Sequence, residues 1–353
     1  MKERDEGYDS IRAIATVFIV LFHFLLCALE AKGIQATPRI ISPLVDGYCN
    51  IGRLGVAWFS ILSGCVLWKT YREGIDLKVF YRRRVLRLFI PLWISYAFFF
   101  IVSACIDPGV LGVPFPSILI ALLGMDFYHY YFLGYWNLIL VGEWYTAVIV
   151  TLYVVFPLVR YLFEHHRKAT TAGMLLLFAL NLRFEILTTP GGTWSVVNAL
   201  VFFWLGMLFE ERRDEIVSST PVVLTSLSMA AFILIIFRRR ALFGFGYLST
   251  FLFAVSAFVL AYAFFSWFMR GNPVVRCISD LSYEIYLIHH RVFFLLVPVF
   301  ISAASSRVEI AVVFSALAAL ILIAAKLLAV SSRAARSLVE RVGQPPTKEA
   351  EAS

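Results

Sequence analysis

Residues 11–30 read IRAIATVFIVLFHFLLCALE, an apolar run interrupted only by Arg12 and His23 before it ends at Glu30. At 1.5 Å per residue, a helix of this length spans about 30 Å, which is the thickness of the hydrocarbon core of a bilayer. The rest of the chain has the same character: 61% of its 353 residues are hydrophobic, 15% are charged, and the mean hydropathy is +0.83. Soluble domains are about 45–50% apolar and about 25% charged, so lipid is the expected solvent for most of this surface.

Ten apolar segments of this kind follow one another, and only helices or closed barrels can cross lipid. The segments are too long and too continuous for barrel strands. We therefore predict an all-α, polytopic transmembrane bundle of about ten helices over residues 1–335, followed by a polar cytoplasmic tail at 336–353. The segments run approximately over 11–30, 51–71, 85–106, 144–163, 171–187, 195–210, 221–237, 243–268, 281–303 and 309–330.

The distribution of lysine and arginine predicts the orientation of these helices, because short cytoplasmic loops carry an excess of both. Arg72 to Arg87 is strongly basic, whereas no lysine or arginine lies between Arg87 and Arg160. This places the 107–143 connection outside and both termini in the cytoplasm. The apolar middle of that connection, 113–124, is too short to span, so we expect it to lie at the interface or to dip back into the protein. Arg238–Arg240 fall on the outer side, which indicates a miscounted segment or a site for an anionic glycan or lipid headgroup.

The basic residues are explained by topology, so the net charge of +8 does not predict a nucleic-acid partner. The five cysteines show no metal-ligand spacing and are expected to be small core residues. No metal site and no disulfide framework are predicted.

Ionisable residues inside membrane helices are costly and often mark a functional site. Arg12 and His23 are eleven residues apart, which at 100° per residue places them on one helix face and about 16 Å apart along the axis. Asp9 lies on the same stripe and can pair with Arg12. Each residue alone is as well explained by a core histidine or a snorkelling arginine. Together they favour a polar cavity that runs from the cytoplasmic end of the first helix to its middle.

Two further stretches contain candidate site residues. Arg84 and Arg87 share a helix face next to Pro91, where they would bind a phosphorylated ligand at the cytoplasmic entrance or only set the topology. Ser282–His290 ends in two histidines that point about 100° apart, so we expect that they do not both face the same cavity. No carboxylate or cysteine cluster accompanies them, which argues against a metal site.

These motifs resemble the acyltransferase-3 family of membrane acyltransferases, and they occur in the family's order over about 280 residues. The family's Arg, ten residues, His motif resembles Arg12 and His23; the other three motifs resemble Phe59–Gly64, Arg84–Arg87 before Pro91, and Ser282–His289. One departure is that Ile149 or Val150 stands where many members carry a glutamate, and Glu143 is the nearest carboxylate. No extracytoplasmic SGNH-type domain is expected, as in the short members of the family.

The resemblance implies a multi-pass enzyme of the bacterial inner membrane that transfers an acyl group to a hydroxyl of a cell-surface carbohydrate. The donor implied is cytosolic acyl-CoA, most often acetyl-CoA, as a substrate and not as a bound cofactor. The predicted catalytic residues are His23, Arg12 and Asp9. The predicted donor-binding residues are Arg84, Arg87 and Arg83. Second-tier candidates are Ser63, Tyr153, Ser282, Tyr286 and His289.

His23 is predicted to act either as a general base or as the carrier of a transient acyl group. The main alternative function is a transporter or flippase for a glycan or small molecule, because intramembrane arginine and histidine also line transport paths. No matching pair of broken helices supports that alternative. A structural membrane subunit is a second alternative, but it would not need Arg12 and His23 on one stripe.

Overall fold

A computed structural model describes residues 4–34, 42–45, 50–125, 141, 144–184, 186, 195–238 and 246–342. Ten long helices dominate this part of the chain, and we number them in chain order. They are α1 (Glu6–Ala31), α2 (Ile51–Tyr71), α3 (Leu77–Ile106), α4 (Trp144–His165), α5 (Arg167–Phe184), α6 (Val196–Glu211), α7 (Thr220–Arg238), α8 (Gly246–Phe268), α9 (Ser282–Phe300) and α10 (Arg307–Val342). Shorter helices cover Ser42–Val45, Pro108–Gly112, Phe115–Leu122, Arg213–Ser218 and Pro273–Asp280.

Each predicted apolar segment corresponds to one long helix, so the predicted all-α bundle is confirmed. Seven helices in the described residues are long and apolar enough to cross a membrane: α1, α2, α3, α4, α8, α9 and α10. The two largest differences from the predicted boundaries are that α3 begins at Leu77 and α10 continues to Val342. Both extensions are basic, and charged side chains at the membrane surface do not interrupt a helix whose backbone bonds are satisfied. The cytoplasmic location of the termini and the domain limits at 335 and 336 stay predictions.

Helix α1 lies at the centre of the arrangement, where it packs against α2, α8, α9 and the short helix Pro273–Asp280. Asp5 caps its first turn by accepting a hydrogen bond from the Tyr8 backbone N–H at 3.2 Å. Ile11 and Ala15 are fully buried against neighbouring helices. The polar side chains of Asp9, Ser10 and Thr16 are buried as well, so this part of α1 presents polar groups to protein.

Helices α2 and α6 cross at unusually short range because each has a glycine at the contact. A Cβ on Gly64 would overlap the carbonyl oxygen of Phe203, and a Cβ on Gly206 would overlap that of Ile61. Small residues let membrane helices approach backbone to backbone, and the packing that results stabilises the pair. Gly64 ends the Phe59–Gly64 motif, so this close helix contact explains why the motif has a glycine there.

The segment that follows α3 turns back into the protein. Trp93 lies about 20 Å along α3 from its end at Ile106, yet its indole N–H donates to the Leu122 carbonyl oxygen at 2.8 Å. Gly124 lies beside Leu92 and Thr146 at the same depth. Of the two expectations for 113–124, the structure has the one in which the segment dips back.

Candidate active site

A cavity of about 350 Å³ opens between α1, α2, α3, α4, α9 and α10. Its lining includes five arginines: Arg12, Arg84, Arg87, Arg333 and Arg336. It also includes Tyr145 and Tyr286, whose ring centroids are 6.1 Å apart. The cavity therefore combines cationic and aromatic groups and contains Arg12, whereas His23, expected in the same cavity, does not line it.

Two arginines of α3 reach the cavity, and the third predicted one does not. The Arg84 guanidinium lies over the rings of Tyr71, Phe80 and Tyr153, with its central carbon 5.2 Å from the Tyr153 centroid. Cation–π contacts of this kind hold the guanidinium in place without neutralising it. Arg87 also lines the cavity, one turn further along α3. Arg83 points away from it and is exposed.

Arg12 is held at the cavity wall by Asp9 and by the short helix before α9. Its guanidinium lies 3.4 Å from the Asp9 carboxylate and 3.4 Å from the Ser279 hydroxyl. The Ser279 hydroxyl donates to Asp9 at 2.8 Å. Arg4 donates to the same carboxylate and to Asp280, and these hydrogen bonds raise the pKa of Arg4 above its ordinary value. The predicted Asp9–Arg12 pair is therefore present, and both partners are anchored to the segment that leads into α9.

His23 contacts α9 on the same face of α1 as Arg12, as the helical spacing predicted. Its Nδ1 lies 2.8 Å from Nε2 of His289, which is completely buried. Nδ1 of His289 lies 3.1 Å from the Ile285 carbonyl oxygen and 2.9 Å from the Tyr286 carbonyl oxygen. Carbonyl oxygens only accept hydrogen bonds, so Nδ1 of His289 must carry a proton. In the neutral pair, Nε2 of His289 is then the acceptor, Nδ1–H of His23 is the donor, and Nε2 of His23 holds the lone pair.

Neither His289 nor His290 lines the cavity, in agreement with the expectation that they do not both face it, but both rings lie close to the His23 ring. The ring centroid of His23 is 5.0 Å from that of His289 and 5.1 Å from that of His290. Adjacent side chains on a helix diverge by 100°, but a side chain from a neighbouring helix can insert between them. Among the described residues, no group of three histidine, cysteine or carboxylate side chains is arranged to hold a metal ion.

The imidazoles lie one layer of side chains beyond the cavity. Neither His23 nor His289 lines it, but the Tyr286 ring does, and its centroid is 6.1 Å from that of His289. The Tyr286 hydroxyl accepts a hydrogen bond from the Thr146 backbone N–H at 3.1 Å. Tyr286 thus separates the cavity from the imidazoles and touches both.

The second-tier candidates fall into two groups. Ser63, Tyr153, Ser282 and Tyr286 line the cavity, whereas His289 bonds to His23 behind it. The family's glutamate is replaced by an apolar wall, since Ile149 lines the cavity and is buried. Several features singled out in the sequence lie outside the described residues. They are Glu143, most of the aromatic 126–143 connection, Arg239, Arg240 and the side chain of Arg238.

Sequence reasoning missed Arg333, Arg336 and Tyr145. Arg336 begins the polar tail predicted for 336–353 and Arg333 precedes it, and the two are spaced three apart on one face of α10. That spacing was the available signal, because it is the same as that of Arg84 and Arg87. For Tyr145, the sequence offers no signal beyond its position at the start of an apolar segment.

Comparison with known proteins gives one result. A family model described as an acyltransferase domain matches residues 5–330, which is nearly the whole chain. No curated protein and no solved structure matches the chain significantly.

Proposed function

The chain belongs to the acyltransferase-3 family and is a membrane acyltransferase, and on that premise we propose that it is an O-acyltransferase of the bacterial inner membrane. Its donor is cytosolic acyl-CoA, in the first place acetyl-CoA, and its acceptor is a hydroxyl of a cell-surface carbohydrate. The observation that carries the proposal is the His23–His289 hydrogen bond, one side-chain layer from a cavity with a basic wall.

The donor enters the cavity from its basic part. Arg84 and Arg87 bind the phosphates, because guanidinium groups form strong charge-assisted hydrogen bonds with phosphate oxygens. The pantetheine arm then extends along the cavity and brings the thioester to the wall formed by Tyr145 and Tyr286. The acceptor approaches from the opposite side of the bilayer, so the two substrates meet near His23.

His23 acts as the general base through Nε2, which the hydrogen bond to His289 leaves with the lone pair. Nε2 takes the proton of the acceptor hydroxyl while the hydroxyl oxygen attacks the thioester carbonyl carbon. The carbon–sulfur bond breaks, and the proton passes from His23 to the departing CoA thiolate. A positioned base of this kind typically contributes about 10² to 10⁴ in rate. In the relay alternative, the same nitrogen carries the acyl group between the two substrates.

Arg12 orients the donor between the phosphates and the thioester. Asp9 and Ser279 fix its guanidinium at the cavity wall, so its positive charge is in place before the reaction begins. Preorganised charge stabilises the developing oxyanion and the thiolate without a cost of reorganisation.

The experiment is an assay of the purified protein in lipid nanodiscs with acyl-CoA and a carbohydrate acceptor. We expect thiol release that requires the acceptor, and a loss of about 10²-fold or more in kcat for His23→Ala. The matched control is His165→Ala, which removes an exposed imidazole at the end of α4. Near-normal turnover of folded His23→Ala would remove His23 from the mechanism. Transport of a glycan without any consumption of acyl-CoA would replace the proposal by the flippase alternative.

A further inference from the structure

The last helix brings two arginines to the cavity. Arg333 and Arg336 follow Ala329 at spacings of four and three residues, so the three side chains lie on one face of α10. All three line the cavity. Helix α10 packs against α3 and α9, and its two arginines line the same cavity as Arg84 and Arg87 of α3.

These four guanidinium groups lack the carboxylate partners that nearby arginines have. Arg160 pairs with Glu164 at 3.0 Å, and Arg167 pairs with Glu211 at 2.8 Å. None of Arg84, Arg87, Arg333 and Arg336 forms an ion pair with a described carboxylate. The Nε of Arg84 is also buried without a hydrogen-bond partner in the described part of the chain.

The carboxylates at the cavity do not balance this charge. Asp280 is bound by Arg4 at 2.8 Å. Glu284 interacts electrostatically with Arg87, Arg333 and Arg336, so it is a single negative group facing several positive ones. A cavity that keeps four cationic groups close together with so little compensation favours an anionic ligand with more than one charged group.

We infer that Arg333 and Arg336 form a second phosphate-binding pair, opposite Arg84 and Arg87, in the donor site. The inference rests on the proposed function, and it adds α10 to that site. A CoA thioester carries two separate anionic groups, a diphosphate and a 3′-phosphate. Two pairs of arginines, each spaced by one helical turn on a different helix, match a ligand with two such groups.

A phosphate group in this position has two sources, the soluble donor and the headgroup of an anionic lipid. The donor is favoured because both arginines line the same cavity as Tyr286, which lies next to His289. An experiment in nanodiscs of purely zwitterionic lipid removes the second source.

The experiment compares wild type with the double variant Arg333→Gln/Arg336→Gln in such nanodiscs. We expect the Kd for CoA, measured by calorimetry, and the KM for acyl-CoA to rise about 100-fold or more, because two charge-assisted bonds are lost and each contributes roughly tenfold or more. kcat at saturating donor should change by less than about twofold. The thioester of pantetheine, which has no phosphate, should be used equally well by both proteins. Arg341→Gln is the matched control, because Arg341 lies on the same helix, is exposed and does not line the cavity.

An equal loss with the pantetheine thioester would overturn the inference, because it would indicate a purely structural role. An unchanged Kd for CoA together with weaker binding of anionic lipid would also overturn it and would assign the arginines to lipid. Calorimetry separates this inference from the proposed function. A wild-type protein that binds CoA through these arginines but transfers no acyl group would support the phosphate-binding pair and refute the proposed acyltransferase reaction.

Discussion

Replacing His289 by alanine removes the acceptor that fixes the tautomer of His23. In the native protein Nδ1–H of His23 donates to Nε2 of His289 at 2.8 Å, and His289 is itself held by two carbonyl oxygens of α9. Without this acceptor, His23 loses a hydrogen bond in a half-buried position, which costs about 1–3 kcal/mol. At 1.36 kcal/mol per factor of ten, kcat should fall by roughly 5- to 150-fold. The upper limit is about 10⁴-fold, which is the effect of enforcing the wrong tautomer in a serine-protease triad.

The assay separates this role from a role in donor binding. kcat and the KM for acyl-CoA are measured for His289→Ala, for His289→Gln and for the surface control His165→Ala. We expect KM to stay within about twofold, because His289 does not line the donor cavity. The glutamine variant offers a side-chain oxygen as acceptor, so it should recover part of the loss.

The reasoning is refuted by a folded His289→Ala protein with wild-type kcat. It is refuted as well when alanine and glutamine lower kcat equally and melting temperatures fall in parallel, because the effect would then come from packing around a buried ring.

Two further predictions concern packing and the buried ion pair. Gly64→Leu should destabilise the bundle by about 3 kcal/mol or more, because no room exists for a side chain at the α2–α6 crossing. The control is Gly173→Leu, which should keep the wild-type melting temperature because a Cβ at this position contacts no other residue. Equal melting temperatures of the two variants would contradict the close crossing. Asp9→Asn should lower kcat/KM about tenfold by releasing Arg12 from a charge-assisted contact, whereas Glu164→Gln, which breaks a partly exposed pair, should change it less than about twofold. Equal effects of the two carboxylate variants would show that Asp9 has no special role.

The helices were predictable because a single physical constraint determines them. Lipid cannot satisfy backbone hydrogen bonds, so every long apolar run must be helical, and each of the ten runs is. The common face of Arg12 and His23 was predictable for a similar reason, since the helical repeat fixes relative directions within one helix. Both residues contact the segment between Ser279 and His290, as expected from that repeat.

Contacts between helices were not predictable in the same way. The directions of His289 and His290 on α9 gave no sign that both rings would lie about 5 Å from the ring of His23 on a neighbouring helix. In the sequence, the arginines of α10 resemble the basic residues that set membrane topology. Their place in the cavity depends on which helices pack against α10, and the sequence of α10 does not specify those helices. Periodicity describes one helix, whereas a site formed by six elements depends on how they pack.

The layer between the cavity and the imidazoles has a consequence for the proposed transfer. An enzyme that takes its donor from one side of a membrane and its acceptor from the other must join two sites without opening a continuous water path. Under the proposed function Tyr286 is the candidate for this barrier, because it lines the cavity, its ring centroid is 6.1 Å from that of His289, and its hydroxyl is bonded to the start of α4. For the thioester to reach His23, the Tyr286 side chain has to give way, and a donor that fills the cavity supplies the binding energy for that movement. On this reasoning the arginine-lined wall and the imidazole pair act in sequence, and donor binding is the step that connects them.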